Sequence, residues 1–153
     1  MHPKIKILVI FRFLIGAIFL VSGFEKLTSH YQNFLYVIQG YEILPGFLEN
    51  IAARIVPWIE LFVGIFVFLG LGLTWSLRGA LILFVSFIIM VAQAIVRQLP
   101  INECGCFGEL FSFPLPAVLI MDSILFLMTI FLIVRKDIST CLSLDHYFSK
   151  KDG

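Results

Sequence analysis

Charge is what this sequence has least of. Asp, Glu, Lys and Arg make up 14% of the 153 residues, against 60% hydrophobic ones. A soluble domain carries about 25% charged residues, so too few polar groups exist here to cover a water-facing surface. The same apolar excess excludes a disordered chain. A net charge of +1 offers no basic field to nucleic acid, and none is expected as a partner. Cysteine is scarce as well, and three residues cannot build a disulfide scaffold. The histidines, His2, His30 and His146, all fall outside the long apolar runs, which excludes a bis-histidine haem among them. Phosphate-cradling glycine motifs and a Ser-His-Asp set are missing too.

What is abundant is apolar: 17 Phe residues and a mean hydropathy of +1.03. Four runs, at about residues 5–24, 55–74, 77–96 and 116–134, reach the ~20 residues a helix needs to cross the hydrocarbon of a bilayer. Lipid offers the backbone no hydrogen-bond partner, so such runs must be helices. They do not alternate, which excludes barrel strands. The expected fold is all-α: a polytopic membrane four-helix bundle over residues 1–135, with a short tail at 136–153. The first run is read as a retained helix, because it exceeds a usual signal-peptide core and no A-x-A-like site follows.

Basic residues set the expected orientation. Lys4, Lys6, Arg78, Arg135, Lys136, Lys150 and Lys151 share one side, against Lys26, Arg54 and Arg97 on the other. Both termini are therefore expected in the cytoplasm, with outer loops at 25–54 and 97–115 and a tight inner hairpin at 75–78. Within the first outer loop, Phe34, Val37, Ile38 and Tyr41 stand at helical spacing. They predict a short amphipathic helix, lying on the outer membrane surface or serving as a lid over the bundle.

The second outer loop carries Cys104-Gly105-Cys106. Two cysteines one residue apart can close a small disulfide ring, whose backbone angles Gly105 accommodates. A ring that departs from relaxed geometry is easier to reduce than a structural disulfide. Three other readings stand beside redox exchange: a loop staple, half of a zinc site, or idle thiols. The staple gains little from so short a loop, and a closed metal site lacks ligands, since His30 is the one outward histidine. Cys141 sits by itself in the tail.

Arg12, Glu60 and Asp122 lie inside apolar runs, where each costs about 2.5 kcal/mol or more and is a functional candidate by default. At 1.5 Å per residue, Glu60 and Asp122 lie ~8 and ~9 Å in from the side of the cysteine loop. Arg12 is deeper, and its long side chain is expected to climb to Asp122. Glu60 must find its partner on another helix. Lys26 and Arg97 are the cations available to stabilise a thiolate. Gly16, Gly23, Gly64, Gly70 and Gly72 are read as helix-packing positions.

The order Arg12, Ser22-Gly23, Lys26-Leu27, Tyr41, Leu44-Pro45, Pro57, Glu60-Leu61, Gly64 and Cys104-Gly105-Cys106-Phe107-Gly108 resembles the MauE branch of the DoxX-like membrane proteins. The likeness spans residues 12–108. It implies a four-helix inner-membrane protein of bacteria, linked to thiol redox and to maturation of exported proteins beside a thioredoxin-like periplasmic partner. In this reading Cys104 and Cys106 exchange electrons, and Gly105, Phe107 and Gly108 complete their motif. A looser, architectural likeness to DsbB and vitamin K epoxide reductase adds a quinone as possible cofactor, with Glu60 moving protons; those proteins carry two cysteine pairs, and this chain one. The contrasting reading is a non-catalytic membrane subunit or small transporter, in which Arg12, Glu60 and Asp122 line a polar path and the cysteines staple a loop.

The expected orientation is open to test. A membrane-impermeant maleimide should label reduced Cys104 or Cys106 in intact spheroplasts, and Cys141 only after permeabilisation. Labelling of Cys141 alone would reverse the topology.

Overall fold

The computed structural model describes residues 3–99 and 114–135, with side chains from residue 6 onward. The Cys104–Gly108 motif, Cys141 and the 136–153 tail lie outside the described residues. Five helices follow in order: α1 (Pro3–Thr28), α2 (Tyr31–Gly40), α3 (Gly46–Leu69), α4 (Leu73–Val96) and α5 (Leu115–Val134). Among the described residues there is no strand. All but α2 are long and apolar enough to cross a membrane. They leave Ile10, Phe24, Trp75, Ile82, Leu127 and Val134 exposed. So much exposed apolar surface suits lipid and not water.

Several of the expected boundaries shift. α1 runs on past residue 24, because Glu25 and Lys26 turn inward and are buried instead of leaving into a loop. α3 begins nine residues before the expected 55, at Gly46, and ends at Leu69. The tight turn therefore lies at 70–72 and not at 75–78. Gly70 and Gly72 make it, with φ of 72° and 50°, backbone that only glycine adopts cheaply. Leu71 N–H returns to Phe66 O at 2.9 Å, which closes α3 behind a left-handed glycine. These two glycines turn the chain; they are not the packing positions expected of them.

Gly16, Gly23 and Gly64 do pack. A Cβ on Gly16 would meet Phe68 Cα at 2.8 Å, on Gly23 Leu61 N at 2.7 Å, and on Gly64 Leu20 N at 2.7 Å. Rising numbers on α1 thus face falling numbers on α3, so the two helices run antiparallel with backbones in contact. Small residues permit this approach, which recovers dispersion energy where lipid supplies no hydrophobic drive. α1 packs chiefly on α3, and α4 chiefly on α5. Between the pairs lies a core of Leu8, Ile15, Phe19, Val67, Phe84 and Leu125, with the Phe19 and Phe84 rings 4.8 Å apart.

α2 closes one end. Its apolar face, read from the sequence as Phe34, Val37, Ile38 and Tyr41, turns onto the bundle: Ile38 and Tyr41 are buried, Phe34 and Val37 half-buried. The helix packs as a cover over the bundle. A second cluster beneath it joins Tyr41 to Val91, Ala94, Leu115 and Val118, with Val37 and Leu99 packed against them.

Adding a methyl at the α1–α3 contact should force the backbones apart. Gly64→Ala is expected to lower stability by about 1–3 kcal/mol, read from unfolding in detergent micelles. Gly79→Ala is the control: its Cβ meets only the Val63 Cγ2 methyl at 3.3 Å, and its effect should stay within about 1 kcal/mol, the helix-propensity difference between the two residues.

Candidate functional site

The helix register delivers a charged pair into the apolar interior. Ser22 and Lys26 stand four residues apart on one face of α1, flanking Gly23, and Glu60 stands on α3 one turn from Gly64. Lys26 Nζ lies 2.8 Å from Glu60 Oε2 and 3.0 Å from Oε1, and donates to Ser22 Oγ at 2.6 Å. Ser22 Oγ in turn donates to Glu60 Oε2 at 3.0 Å. Both charged side chains are essentially inaccessible, at 1% and 0% exposure. Glu60 thereby gains the partner on another helix that the sequence required. Around the ammonium stand two rings, Phe34 of α2 at 5.4 Å and Phe87 of α4 at 5.7 Å. Together they make a desolvated ion pair whose hydrogen bonds close on themselves, the condition under which buried charges are tolerated.

Other ionisable groups are drawn to the same level or left away from it. Glu25 is buried and accepts a hydrogen bond from Ser29 Oγ at 2.9 Å. Asp122 is buried on α5, and the charges of Lys26 and Glu60 both act on it; its Oδ2 accepts no hydrogen bond among the described residues. The expected Arg12–Asp122 pair is not among their ion pairs. The reason is distance along the helix: Arg12 precedes Lys26 by 14 residues, roughly 21 Å of α-helix, whereas Asp122 stands near Lys26. Arg12 is buried with its guanidinium 5.0 Å from the Phe13 ring.

α2 is fastened over this cluster by side chains of α4 and α3. Gln93 Nε2 donates to Tyr41 O at 3.3 Å. Arg97 Nη1 donates to Glu42 O at 3.3 Å and Nη2 to Glu42 Oε2 at 3.0 Å. Tyr31 OH donates to Asn50 Oδ1 at 2.8 Å. Glu42 holds a left-handed backbone, φ 51°, costly for a residue with a Cβ. The Tyr41 phenol is pushed up to about 12, first by burial and then by the charge of Asp122. Under α2 lies a cavity of about 410 Å³, lined by Phe34, Tyr41, Ala52, Val56, Phe87 and Met90 among others, with Lys26 in its wall.

The structure therefore unites Lys26 and Glu60, with Asp122 close by. It separates Arg97, which is exposed on Glu42, and Arg12, which lies deeper. Lys26 was expected as a loop cation for a thiolate; buried in α1, it binds Glu60 and Ser22 instead. Phe87 escaped the sequence reading as a site residue, whereas Ser22 and Tyr41 entered that reading of the site only as positions of the family resemblance. The segment bearing Cys104 and Cys106 lies outside the described residues, but Leu99 before it and Leu115 after it both pack into the Tyr41 cluster.

Four membrane-spanning helices around a buried charge cluster, roofed at one end by a short helix, define a multi-pass helical membrane protein. The family described as Methylamine utilisation protein MauE matches residues 4–135, and the chain belongs to that family. It is 29% identical over 92 residues to Methylamine utilization protein MauE of Methylophilus methylotrophus, a match covering 60% of this chain and 48% of that protein. The chain thus spans about half the length of the curated relative it matches. No solved structure matches it.

The ion pair yields a double-mutant test. Lys26→Met or Glu60→Met alone strands the other group in the interior and should cost about 3–5 kcal/mol. Lys26→Met with Glu60→Met removes both charges and should recover most of that loss. Unfolding of the four proteins in micelles measures the coupling, which near zero would mean the groups do not interact.

Proposed function

We propose that this protein is a thiol–disulfide exchange protein of the bacterial inner membrane, with both termini cytoplasmic and the Cys104-Gly105-Cys106 segment in the periplasm. Its partner is a thioredoxin-like periplasmic protein, and its role is maturation of exported proteins. The matched relative is named for methylamine utilisation; the present reading keeps the chemistry and leaves the substrate open. The observation that carries it is the placement of Leu99 and Leu115 in the Tyr41 cluster. The cysteine segment departs from, and returns to, the end of the bundle that holds the buried ion pair and the cavity.

The chemistry follows from the residues. A thiolate of the pair attacks a disulfide of the partner, a mixed disulfide forms, and the second cysteine resolves it. Phe107 and Gly108 complete the motif on its C-terminal side. Arg97, exposed where α4 ends, is the cation nearest in sequence to the pair and favours its thiolate. Oxidation of two thiols to a disulfide releases two electrons and two protons. A quinone is the proposed membrane carrier for them, in either direction, and Glu60 is the proposed proton relay.

Trapping tests the reading. Cys106→Ser leaves Cys104 able to attack but not to be resolved, so a partner-linked disulfide should accumulate on non-reducing gels and vanish with dithiothreitol. Cys104→Ser tests the opposite order of attack. If neither variant forms an intermolecular disulfide and the double variant keeps its activity, the cysteines are a staple and the reading fails.

A further inference from the structure

Asp122 is a buried carboxyl to which the ion pair gives no hydrogen bond. It stands on α5 at 5% exposure, and its Oδ2 is inaccessible and meets no donor among the described residues. A carboxylate inside a membrane bundle needs a counter-charge or a set of donors to keep its charge. α5 packs on α4 and α1. α4 offers neither, for it has no ionisable residue between Arg78 and Arg97. Lys26 of α1, Glu60 of α3 and the Tyr41 phenol at the end of α2 are the groups that act on Asp122 through space.

None of them satisfies it. An ammonium has three N–H groups, and those of Lys26 go to Ser22 Oγ at 2.6 Å and to Glu60 Oε2 and Oε1 at 2.8 and 3.0 Å. Glu60 thus takes the charge of Lys26 and turns its own negative field on Asp122. The Tyr41 hydroxyl makes no hydrogen bond to Oδ2. The other charged groups of α1 are engaged elsewhere: Glu25 accepts from Ser29, and Arg12 lies deeper against Phe13. Arg97, where α4 ends, pairs with Glu42.

Three occupants would complete Oδ2. A metal ion demands several oxygen ligands, and no three His, Cys, Asp or Glu converge to hold one among the described residues. A water supplies a donor but leaves a second negative charge beside Glu60. A proton removes the charge and turns the open oxygen into a donor, so that the interior holds a neutral acid.

We propose that Asp122 is a proton-binding site of the bundle, holding an exchangeable proton that it can release and regain without breaking the Lys26–Glu60 pair. Glu60 cannot take a proton so freely, since both of its oxygens already accept hydrogen bonds. The place of Asp122 in the chemistry rests on the thiol–disulfide reading given above. It lies seven residues into α5, roughly 10 Å along the helix that the cysteine segment enters. Asp122 gives its proton to the reduced carrier and is refilled by one of the two protons that the dithiol releases. The opposite exchange runs the same transfer backwards.

Infrared spectroscopy tests the site, because a protonated carboxyl has its own C=O stretch, which shifts in D2O. The full chain is purified in dodecyl maltoside, a detergent without a carbonyl. Near neutral pH the wild type should show this band, and Asp122→Asn should lack it while keeping its size-exclusion profile and melting temperature. Raising the pH should remove the band in one step that Asp122→Asn does not show. Glu60→Gln leaves the charge of Lys26 to Asp122, so the band should be lost at the pH where the wild type has it. A wild type without the band, a band that survives in Asp122→Asn, or one that folded Glu60→Gln leaves in place would overturn the proposal. If Glu60→Gln does not fold, the Asp122→Asn comparison and the titration decide. The Cys104→Ser/Cys106→Ser variant should keep the band and lose only its change between oxidised and dithiothreitol-reduced protein. A wild-type band that reduction does not alter overturns the coupling to thiols and upholds the proton site. Absence of the band overturns the site whether or not the cysteine variants trap a partner.

Discussion

The contact between α1 and α3 governs the rest of the structure. Its glycines let two backbones touch, and the touching sets the register at which Lys26 meets Glu60. With α1 held by α3, both carboxylate oxygens take hydrogen bonds from α1. Every later feature is placed relative to that pair. Phe34 brings α2 against the ammonium, Phe87 brings α4, and Asp122 on α5 stands within reach of its field. Removing the close approach would therefore disturb the electrostatics of the site as well as the packing of two helices.

The cover over the site is held more loosely than the site itself. Its tie to α4 includes an ion pair, Arg97–Glu42, with both side chains about half exposed or more, and such pairs are worth about 0–1 kcal/mol. Single hydrogen bonds to Tyr41 O and Asn50 add little more. Buried anchors do the main holding, above all Ile38 and Tyr41. α2 is thus fixed by its apolar face and steered by weak polar contacts at its edges.

How far the sequence discloses this varies with the kind of force involved. Membrane spans are legible because the cost of polar groups in lipid acts residue by residue. Their ends are less so: Glu25 and Lys26 look like the start of a loop until their partners are known, and partners come from tertiary structure. The Gly70–Gly72 turn hides between apolar residues, since lipid and protein interior are equally apolar around it. The helical spacing of Phe34, Val37, Ile38 and Tyr41 reveals α2 but not which apolar phase its face meets. Depth along a helix placed Glu60 and Asp122 on the right level, yet misjudged Arg12, whose reach fell short of the distance. Cys104-Gly105-Cys106 is legible as chemistry in the sequence alone.

A buried ion pair is weak evidence of stability, because well-packed apolar residues often serve as well or better. Its distinctive effect is on the alternatives. If α1 slid by one turn, Lys26 would move ~5.4 Å along the helix axis, farther than its hydrogen bonds to Glu60 at 2.8 and 3.0 Å can stretch. Both charges would then lie in the interior without each other, at a cost no rearranged methyl group could offset. For an all-apolar contact the same slip would cost little, since leucine meets leucine in either register and glycines could tolerate several crossings. The pair therefore narrows the bundle to one register.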